Sequence, residues 1–408
     1  GDDLLNGGSG INIIVAGEGN NTIQSFSGGV DTIQAGKGND RLNNGGGQFT
    51  AYLGNGNNII QASDSRAKIY TGAGNDQFTL AGTGEYEIYA GDGNNIINSQ
   101  ALFGTTVYTG LGNDTVNILE NGGPRGLFNT VYAGEGNNEI TVGTSNHITT
   151  GSGNDRITAS GTYNTIEASN GNNLITVRGG MATINTGKGD DQIEALLSGT
   201  ASEMGSIILT AGGGNNTIQV TSAHSEIYTG SENDTITVNS FGSGSSVIQA
   251  GDGENTISIN LNGETSTRAG TGNDKVTIVS ASGSHQVDVG EGDNNVEAIN
   301  LVAGTATINA GSGDDLVTLT QGSVYADDGN NTIVMTGSFA NVYTGAGNDK
   351  ITATATGRAL VQAGDGANQI TTGAGDDLVY GGAGNDEIQA GSGANTIYTG
   401  TGENLITI

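Results

Sequence analysis

Five consecutive nonapeptides near the end of the sequence decide the fold. Residues 364–408 read GDGANQITT, GAGDDLVYG, GAGNDEIQA, GSGANTIYT and GTGENLITI. Each opens with a glycine-x-glycine turn and continues with a short segment in which apolar side chains stand at alternate positions. The alternation predicts β-strands with one buried face, and the fixed repeat predicts stacked turns of chain.

The same turn recurs through the rest of the chain. Clear copies of Gly-x-Gly-Asn-Asp begin at Gly72, Gly110 and Gly345, each between two short alternating segments. Near both ends the turn recurs about every nine residues, and through the middle about every 18 to 25. One coil therefore takes about 18–19 residues and has two turns. No segment of useful length shows the 3.6-residue period of a helix.

These patterns predict an all-β fold, a right-handed parallel β-solenoid (β-roll) of about 22 coils. We expect one continuous solenoid over residues 1–408, as a segment of a longer chain. In residues 1–40 and 364–408, glycine turns of the nonapeptide type are expected on both sides of each coil. Coils in residues 41–363 are expected to keep one glycine turn and to vary the other side.

Composition excludes several functional classes. The chain has 74 glycines, one proline, no cysteine and a net charge of −30. With only 12 Lys and Arg residues, it lacks the basic surface that nucleic acids require. It has no run of 18 apolar residues, so membrane insertion is not expected. Because no disulfide is available, another staple such as a metal ion is expected.

The last residue of the turn alternates between aspartate and asparagine from coil to coil. We call the two kinds Asp coils and Asn coils, so the true repeat is two coils. The residue before the first glycine tends to be Thr in Asp coils, as at Thr71, and Ala in Asn coils, as at Ala90. The residue between the two glycines is often acidic in Asn coils, as at Asp92.

The nonapeptide at residues 381–389, GGAGNDEIQ, carries a resemblance to a known family. It resembles the RTX (repeats-in-toxin, haemolysin-type) calcium-binding β-roll repeat at every fixed position of the pattern Gly-Gly-x-Gly-x-Asp-x-aliphatic-x. The chain is also similar to the solenoid regions of bacterial RTX adhesins and of surface-layer and filament proteins. The resemblance implies Ca²⁺ between turns of adjacent coils, bound by the Asp carboxylate and backbone carbonyls. Asparagine at every second ligand position departs from the family pattern.

Many oxygen ligands without a His or Cys cluster favour multiple Ca²⁺ ions. We expect each site to combine one Asp, one Asn and backbone carbonyls, with the acidic middle residue of the Asn coil adding negative potential. The expected ligands are Asp3, Asp31, Asp40, Asp76, Asp114, Asp155, Asp191, Asp234, Asp274, Asp315, Asp349, Asp377 and Asp386. The expected weaker or non-ligating partners are Asn21, Asn58, Asn95, Asn138, Asn173, Asn216, Asn255, Asn294, Asn331, Asn368 and Asn404.

Two alternatives to calcium at every gap remain open. In a metal-free ladder, Asn amide groups would donate hydrogen bonds to Asp carboxylates above and below, which also requires alternation. In an intermediate arrangement, every second gap would hold a metal ion.

Three further sets of residues bear on the function. A tyrosine column before the turns, including Tyr70 and Tyr89, is expected to face outward and to stack, with self-association or glycan binding as the alternative. A threonine column after the turns suggests ice binding, but residues such as Glu194 interrupt it. The three histidines, His147, His224 and His285, are expected in solvated loops, and no catalytic residue is predicted.

The sequence therefore favours a non-enzymatic, calcium-binding structural protein of the cell exterior: a surface layer, an extracellular filament or matrix, or an adhesin rod. The alternatives are an ice- or glycan-binding solenoid of an adhesin, or the folding and secretion module of an exported enzyme. Expected partners are other copies, forming a filament or layer, or flanking regions of the same chain, without nucleic acid. The expected location is secreted, extracellular or on the cell surface.

Overall fold

The computed structural model describes residues 1–26, 28–119, 128–198, 205–240 and 242–408. Within these ranges the regular elements are all β-strands and none is a helix. The strands pair in parallel and form a β-solenoid of about 22 turns, which confirms the predicted fold class. The chain divides into two compact units, Gly1–Gly199 and Thr200–Ile408.

The first unit contains strands β1 to β19 among its described residues. Strands β17 and β18 are longer than the others because each continues without a break from one face of its coil to the other. The bounds are β1 Leu4–Asn6, β2 Ile13–Gly17, β3 Thr22–Ser25, β4 Val30–Ala35, β5 Arg41–Asn44, β6 Gly47–Gly54, β7 Ile59–Ser63, β8 Ser65–Thr71, β9 Gln77–Gly82, β10 Glu85–Tyr89, β11 Ile96–Ala101, β12 Thr105–Tyr108, β13 Thr115–Ile118, β14 Phe128–Ala133, β15 Glu139–Val142, β16 Ser145–Thr150, β17 Arg156–Ala168, β18 Leu174–Thr186 and β19 Gln192–Leu197.

The second unit contains strands β20 to β41 among its described residues. The bounds are β20 Ser206–Thr210, β21 Thr217–Thr221, β22 His224–Tyr228, β23 Thr235–Asn239, β24 Ser245–Gln249, β25 Thr256–Asn260, β26 Glu264–Arg268, β27 Lys275–Val279, β28 Ser282–Asp288, β29 Asn295–Ile299, β30 Ala303–Gly311, β31 Leu316–Leu319, β32 Gly322–Ala326, β33 Thr332–Met335, β34 Ala340–Thr344, β35 Lys350–Ala353, β36 Ala359–Gln362, β37 Gln369–Thr372, β38 Leu378–Tyr380, β39 Glu387–Gln389, β40 Thr396–Tyr398 and β41 Leu405–Thr407.

Within each unit, a strand pairs with the strand one coil away, so residues at the same repeat position lie side by side. In the second unit, Ile236 pairs with Ile257, and Ile257 pairs with Val276. We call the strand that leads into the Asp or Asn turn the pre-turn strand and the strand that leaves it the post-turn strand. In-register pairing of this kind places every Asp or Asn of a unit in one column, which positions the candidate site.

The core is a set of apolar rows between the two faces of the coil. In β23 the side chains of Ile236 and Val238 are buried, whereas Thr235 before them is exposed and Thr237 between them is half-buried. The same alternation holds along β25 and β27. β-Branched residues suit this pleated, half-buried surface, and each coil buries its rows only by stacking on its neighbours.

Glycine is required where the turns of neighbouring coils touch. Gly112, the second glycine of its turn, has a φ of +139°. A Cβ atom at this position would lie 2.2 Å from the carbonyl oxygen of Gly93 in the preceding coil. A side chain would therefore be strained by its backbone conformation and would also push the two coils apart.

No helix among the described residues is long and apolar enough to cross a membrane.

Candidate calcium sites

Apart from Asp31 and Asp377, the predicted ligands form a buried column at the turn. Each Asp or Asn ends the glycine turn and immediately precedes the post-turn strand, and every member from Asn21 to Asp386 is buried. The first and last members, Asp3 and Asn404, are exposed and half-buried. We call this set the Asp/Asn column. The structure thus lines up the residues that the sequence predicted.

Each Asn of the column makes hydrogen bonds within its own turn and to the following Asp coil. Nδ2 of Asn95 donates to the carbonyl oxygens of Gly91 (3.2 Å) and Gly93 (3.1 Å). It also donates to Oδ1 of Asp114 at 3.0 Å, and the backbone N–H of Asn95 donates to the same oxygen at 2.8 Å. One carboxylate oxygen therefore accepts two hydrogen bonds from the preceding coil.

Each Asp is tied to the following Asn coil by a different bond. The backbone N–H of Asp76 donates to Oδ1 of Asn95 at 3.0 Å. This bond fixes the orientation of the amide, because a flipped amide would place its NH₂ group against an N–H donor. The ladder predicted as one alternative is therefore present. It differs in detail, since the amide donates only to the following Asp and not to the preceding one.

The second carboxylate oxygen has no such partner. Oδ2 of Asp114 is buried and accepts no hydrogen bond, and the same holds for most Asp coils. Buried polar atoms are normally hydrogen-bonded, so a repeated exception needs an explanation such as a missing ion. The column members with this unpaired oxygen are Asp40, Asp76, Asp114, Asp155, Asp234, Asp274, Asp315, Asp349 and Asp386.

The carbonyl groups of the Asp turn also lack donors. Within the described part of the chain, no protein group donates a hydrogen bond to the carbonyls of Gly72 and Gly74, in the turn that ends at Asp76. The corresponding carbonyls of the Asn turn, Gly91 and Gly93, are the ones that Asn95 satisfies. Carboxylate and carbonyl oxygens without donors are the ligands that Ca²⁺ prefers, so the residues of the Asp turn fit a calcium ion.

A threonine hydroxyl accompanies the carboxylate in six Asp coils. Thr71 precedes the turn of Asp76, and its hydroxyl donates to the carbonyl of Ala90 in the next coil at 2.8 Å. Thr229 and Thr344 make the same bond to the next coil at 2.8 and 2.7 Å. These contacts give the physical reason for the Thr preference in Asp coils that the sequence showed. The hydroxyl thus donates a hydrogen bond to the next coil and also lies beside the carboxyl group of its own turn.

In the metal-free chain, burial raises the pKa of the nine column carboxyl groups from Asp40 to Asp349. For Asp76 and Asp114 burial is the largest effect, and the neighbouring Asn and Thr groups partly oppose it. In the Asp274 coil, where the residue before the turn is Ala269, the pKa rises to about 6. A bound cation would favour the ionised form and reverse this shift.

Alternation also spaces the charges. Neighbouring coils lie about 4.8 Å apart, so carboxylates in every coil would repel by about 3.5 kcal/mol at an effective dielectric constant of about 20. With asparagine in every second coil the spacing doubles to about 9.6 Å, and the repulsion falls to about 1.7 kcal/mol. The column therefore needs less neutralising charge than one built of aspartate alone.

No site in the column depends on a cluster of charged ligands. Among the residues that the structure describes, no three His, Cys, Asp or Glu side chains lie close enough to hold one metal ion together. A cation in the column would therefore have one carboxylate, backbone carbonyls and water as ligands, a set that gives weak binding to Ca²⁺.

On the opposite side of the coil, Asp31 and Asp377 occupy equivalent places. Asp31 Oδ1 accepts hydrogen bonds from the backbone and side-chain amides of Asn12 at 3.0 and 2.8 Å, and Ser25 donates to Oδ2. Asp377 Oδ1 accepts the backbone N–H of Ala359 at 2.7 Å, and its Oδ2 has no hydrogen bond. Asp31 has both oxygens occupied, whereas Asp377 has one oxygen available to a cation.

Sequence reasoning missed a second, exposed ladder. Where an Asn stands immediately before a column residue, its Oδ1 accepts a backbone N–H from the next coil, as Asn75 does from Asn94 at 2.8 Å and Asn94 does from Asn113 at 2.7 Å. The signal was present, because Asn occupies this position in most turns. The acidic middle residue has a similar role, since Asp92 Oδ1 accepts the N–H of Leu111 at 2.9 Å.

The expectation that all three histidines lie in solvated loops is wrong. His147, His224 and His285 lie in strands β16, β22 and β28. His285 is fully buried, and its Nδ1 lies 3.1 Å from the hydroxyl of Thr265. Burial lowers the pKa of His285, so this side chain is a neutral core residue and not a metal ligand exposed to solvent.

The tyrosine column is stacked, as predicted. Ring centroids of successive tyrosines in the first unit lie 4.6–5.0 Å apart with nearly parallel planes. The five rings of this stack are Tyr52, Tyr70, Tyr89, Tyr108 and Tyr132. The threonine column is interrupted, also as predicted, because Thr176 pairs with Glu194.

Comparison with known proteins agrees with this geometry. Seven segments match a family model of four copies of the RTX calcium-binding nonapeptide repeat: residues 1–25, 27–48, 52–82, 149–180, 210–240, 356–388 and 380–407. No curated protein and no solved structure matches the chain.

The fold and these matches define the class of the protein, a parallel β-solenoid built from calcium-binding repeats. More particularly, the matched segments are RTX calcium-binding repeats, as the sequence suggested. RTX repeats bind Ca²⁺, generally form non-catalytic structural folds and occur typically in secreted proteins. The Asp/Asn column continues through the stretches between the matched segments, as at Asp274 and Asp315.

Proposed function

We propose that this chain is a non-enzymatic structural protein of the cell exterior, stiffened by several Ca²⁺ ions bound between adjacent turns. Such a chain suits a surface layer, an extracellular filament or matrix, or the rod of an adhesin. The observation that carries the proposal is the buried Asp/Asn column, in which Asp coils hold an unpaired carboxylate oxygen beside carbonyls without donors.

The aspartates of the column would supply the charged ligand of each site, and the turn carbonyls would supply the neutral ones. One charge per site gives weak binding, in the roughly 0.1–1 mM range of extracellular calcium modules. Such sites are filled where calcium is abundant, outside the cell. A net charge of −30 then favours an unfolded chain before calcium is available.

The location and the assembly follow from this reading. Because metal binding would supply folding free energy, the chain would fold after export, when it first meets millimolar calcium. The proposed partners are further copies of the chain or its own flanking regions, joined into a filament or layer. Light scattering coupled to size-exclusion chromatography, with and without calcium, distinguishes a monomer from such an assembly.

The test of calcium dependence is far-UV circular dichroism of the chain in chelator, followed by addition of calcium. We expect the β-signal or its melting temperature to fall in chelator and to recover with calcium, but not with magnesium at the same concentration. A site occupied at ten times its dissociation constant adds about 1.4 kcal/mol, and many sites add together. A β-signal with the same melting temperature in chelator and in calcium would overturn the proposal.

A further inference from the structure

The two kinds of turn differ in one atom, and that atom decides whether a cation is needed. Asn and Asp have the same shape and differ in that Asn carries NH₂ where Asp carries Oδ2. In Asn coils the Oδ1 atom faces the preceding coil and accepts its N–H, as Asn95 does from Asp76. In Asp coils Oδ1 likewise accepts N–H groups from the preceding coil, as Asp114 does from Asn95.

The NH₂ group of the Asn coil sits among oxygen atoms. Nδ2 of Asn95 has the carbonyls of Gly91 and Gly93 and Oδ1 of Asp114 at 3.0–3.2 Å. In other coils the third acceptor is a carbonyl of the next coil, that of Ala269 for Asn255 at 3.0 Å and that of Ala310 for Asn294 at 3.1 Å. Such a cage of carbonyl and carboxylate oxygens is the kind of site that Ca²⁺ occupies.

In the Asp coil the same place holds an acceptor in place of a donor. Oδ2 of Asp114 is buried and accepts no hydrogen bond. Within the described residues, the turn carbonyls of its coil, Gly110 and Gly112, receive no hydrogen bond from the protein either. Oxygen atoms that face one another without a donor repel, and a cation relieves that repulsion.

We infer that the asparagine amide takes the place of the calcium ion in every Asn coil, so that calcium binds only at Asp coils. This inference rests on the proposed calcium-binding function and specifies which turns carry it out. The number of Asp coils then sets the number of bound ions. The column has eleven Asp and eleven Asn members, so about eleven ions are expected along it and not one ion per coil.

The Asn coils and the Asp coils of the column would then stabilise the solenoid in different ways. Asn coils close their turns without metal, through hydrogen bonds that are present at any calcium concentration. Asp coils depend on calcium and lie between two Asn coils. Loss of calcium should therefore loosen alternate turns, while the Asn turns keep their internal hydrogen bonds.

Native mass spectrometry of the full chain, titrated with calcium chloride, counts the bound ions directly. The wild-type chain is expected to saturate near eleven ions on the column, with at most a few from the opposite side. The triple variant N58D/N95D/N138D replaces three amides with carboxylates and is expected to bind three more ions. Its melting temperature in chelator should fall below that of the wild type.

The matched control is N57D/N94D/N137D, which adds the same three charges one residue earlier, on the exposed ladder. These Asn residues accept a backbone N–H through Oδ1 and have no carbonyl cage, so the control is expected to bind no additional ions. An equal gain in both variants would show that charge alone recruits the ions and would overturn the inference.

The reverse variant, D76N/D114N/D155N, keeps the test decisive if the first variant does not fold. It is expected to bind three fewer ions and to melt at a higher temperature in chelator. About 22 ions on the wild-type chain, or an unchanged count in the reverse variant, would overturn the inference and leave the proposed function standing. No bound calcium on the wild-type chain would remove both.

Discussion

The turn at Asp114 in the first unit and the turn at Asp274 in the second unit support a buried carboxyl group to different extents. At Asp114 the carboxyl group accepts the side-chain amide of Asn95, and the hydroxyl of Thr109 lies beside it. At Asp274 the preceding amide, that of Asn255, donates instead to the carbonyl of Ala269, and no Thr precedes the turn.

The pKa values follow this difference. Burial raises the pKa of Asp114, and Thr109 and Asn95 hold the rise in check. Burial, with smaller contributions from neighbouring carboxylates, raises the pKa of Asp274 to about 6 and that of Asp315 to about 7. The comparison indicates that donors beside a buried carboxyl group lower the cost of its charge. Where fewer donors lie nearby, protonation or a bound cation has a larger cost to offset.

The largest expected effect is a pH dependence of the free energy of unfolding, caused by two carboxyl groups of the second unit. In the metal-free chain the folded pKa of Asp274 and Asp315 lies above the unfolded value of about 3.9, so the unfolded state loses its protons first as pH rises. Stability should therefore fall between about pH 4 and pH 7, by roughly 3 kcal/mol for each group whose pKa is raised by about two units. Urea unfolding in chelator across this range measures it.

The control for this experiment is D274N/D315N, which removes both titrating groups and should flatten the dependence. Stability that rises from pH 4 to pH 7 in the metal-free wild-type chain would contradict the raised pKa values.

The next largest effect on stability is expected when the side-chain amide of a column Asn is removed. N95A removes the donor to the turn carbonyls and to Asp114 and leaves the N–H of Asp76 without its acceptor. We expect a cost of about 3 kcal/mol, because a hydrogen bond to a charged group is included. N255A should cost less, about 2 kcal/mol, since the amide of Asn255 donates only to carbonyl groups. Denaturant midpoints compare the two variants, and equal costs would remove the distinction between the regions.

A smaller effect is expected when a hydroxyl group is added before the turn of Asp274 or removed before the turn of Asp114. A269S places a hydroxyl beside Asp274 and should lower its pKa and stabilise the metal-free chain at pH 7 by about 1 kcal/mol. T109A should do the reverse at Asp114. A250S is the control, because Ala250 precedes an Asn turn that has no unpaired carboxylate oxygen. Thermal melting in chelator reports all three variants, and a gain in A250S as large as that in A269S would contradict the explanation.

The smallest effect concerns the outer face. Tyr89 stacks on Tyr70 and Tyr108, and its hydroxyl donates to Glu87, which raises the pKa of Tyr89 to about 12. Tyr228 in the second unit pairs with Thr210 and Gln249, which offer no ring to stack on. Y89L should therefore lower the melting temperature more than Y228L does. A larger cost for Y228L would show that stacking does not stabilise this face.

Much of the candidate site could be predicted from the sequence because the same residue types recur at the same position in coil after coil. The positions of Asp114 and its equivalents, their burial at the turn and the pairing with Asn followed from spacing alone. The direction of the amide did not, because Asn and Asp have the same shape and either amide orientation fits the pattern. His285 was misassigned because its neighbours resemble a loop, whereas register with Thr265 places it in the core.

The sequence by itself determined the coil, the number of turns, the two-coil repeat and the oxygen-rich chemistry of the turn, because each depends only on residue type and spacing. Only the tertiary structure decided which oxygen of each carboxylate is satisfied and which is not. That depends on atoms in the neighbouring coils, where the N–H of Asn95 reaches Oδ1 of Asp114 and no donor reaches Oδ2. The reason is geometric, since hydrogen bonds act over about 3 Å and only stacking brings residues of neighbouring coils so close.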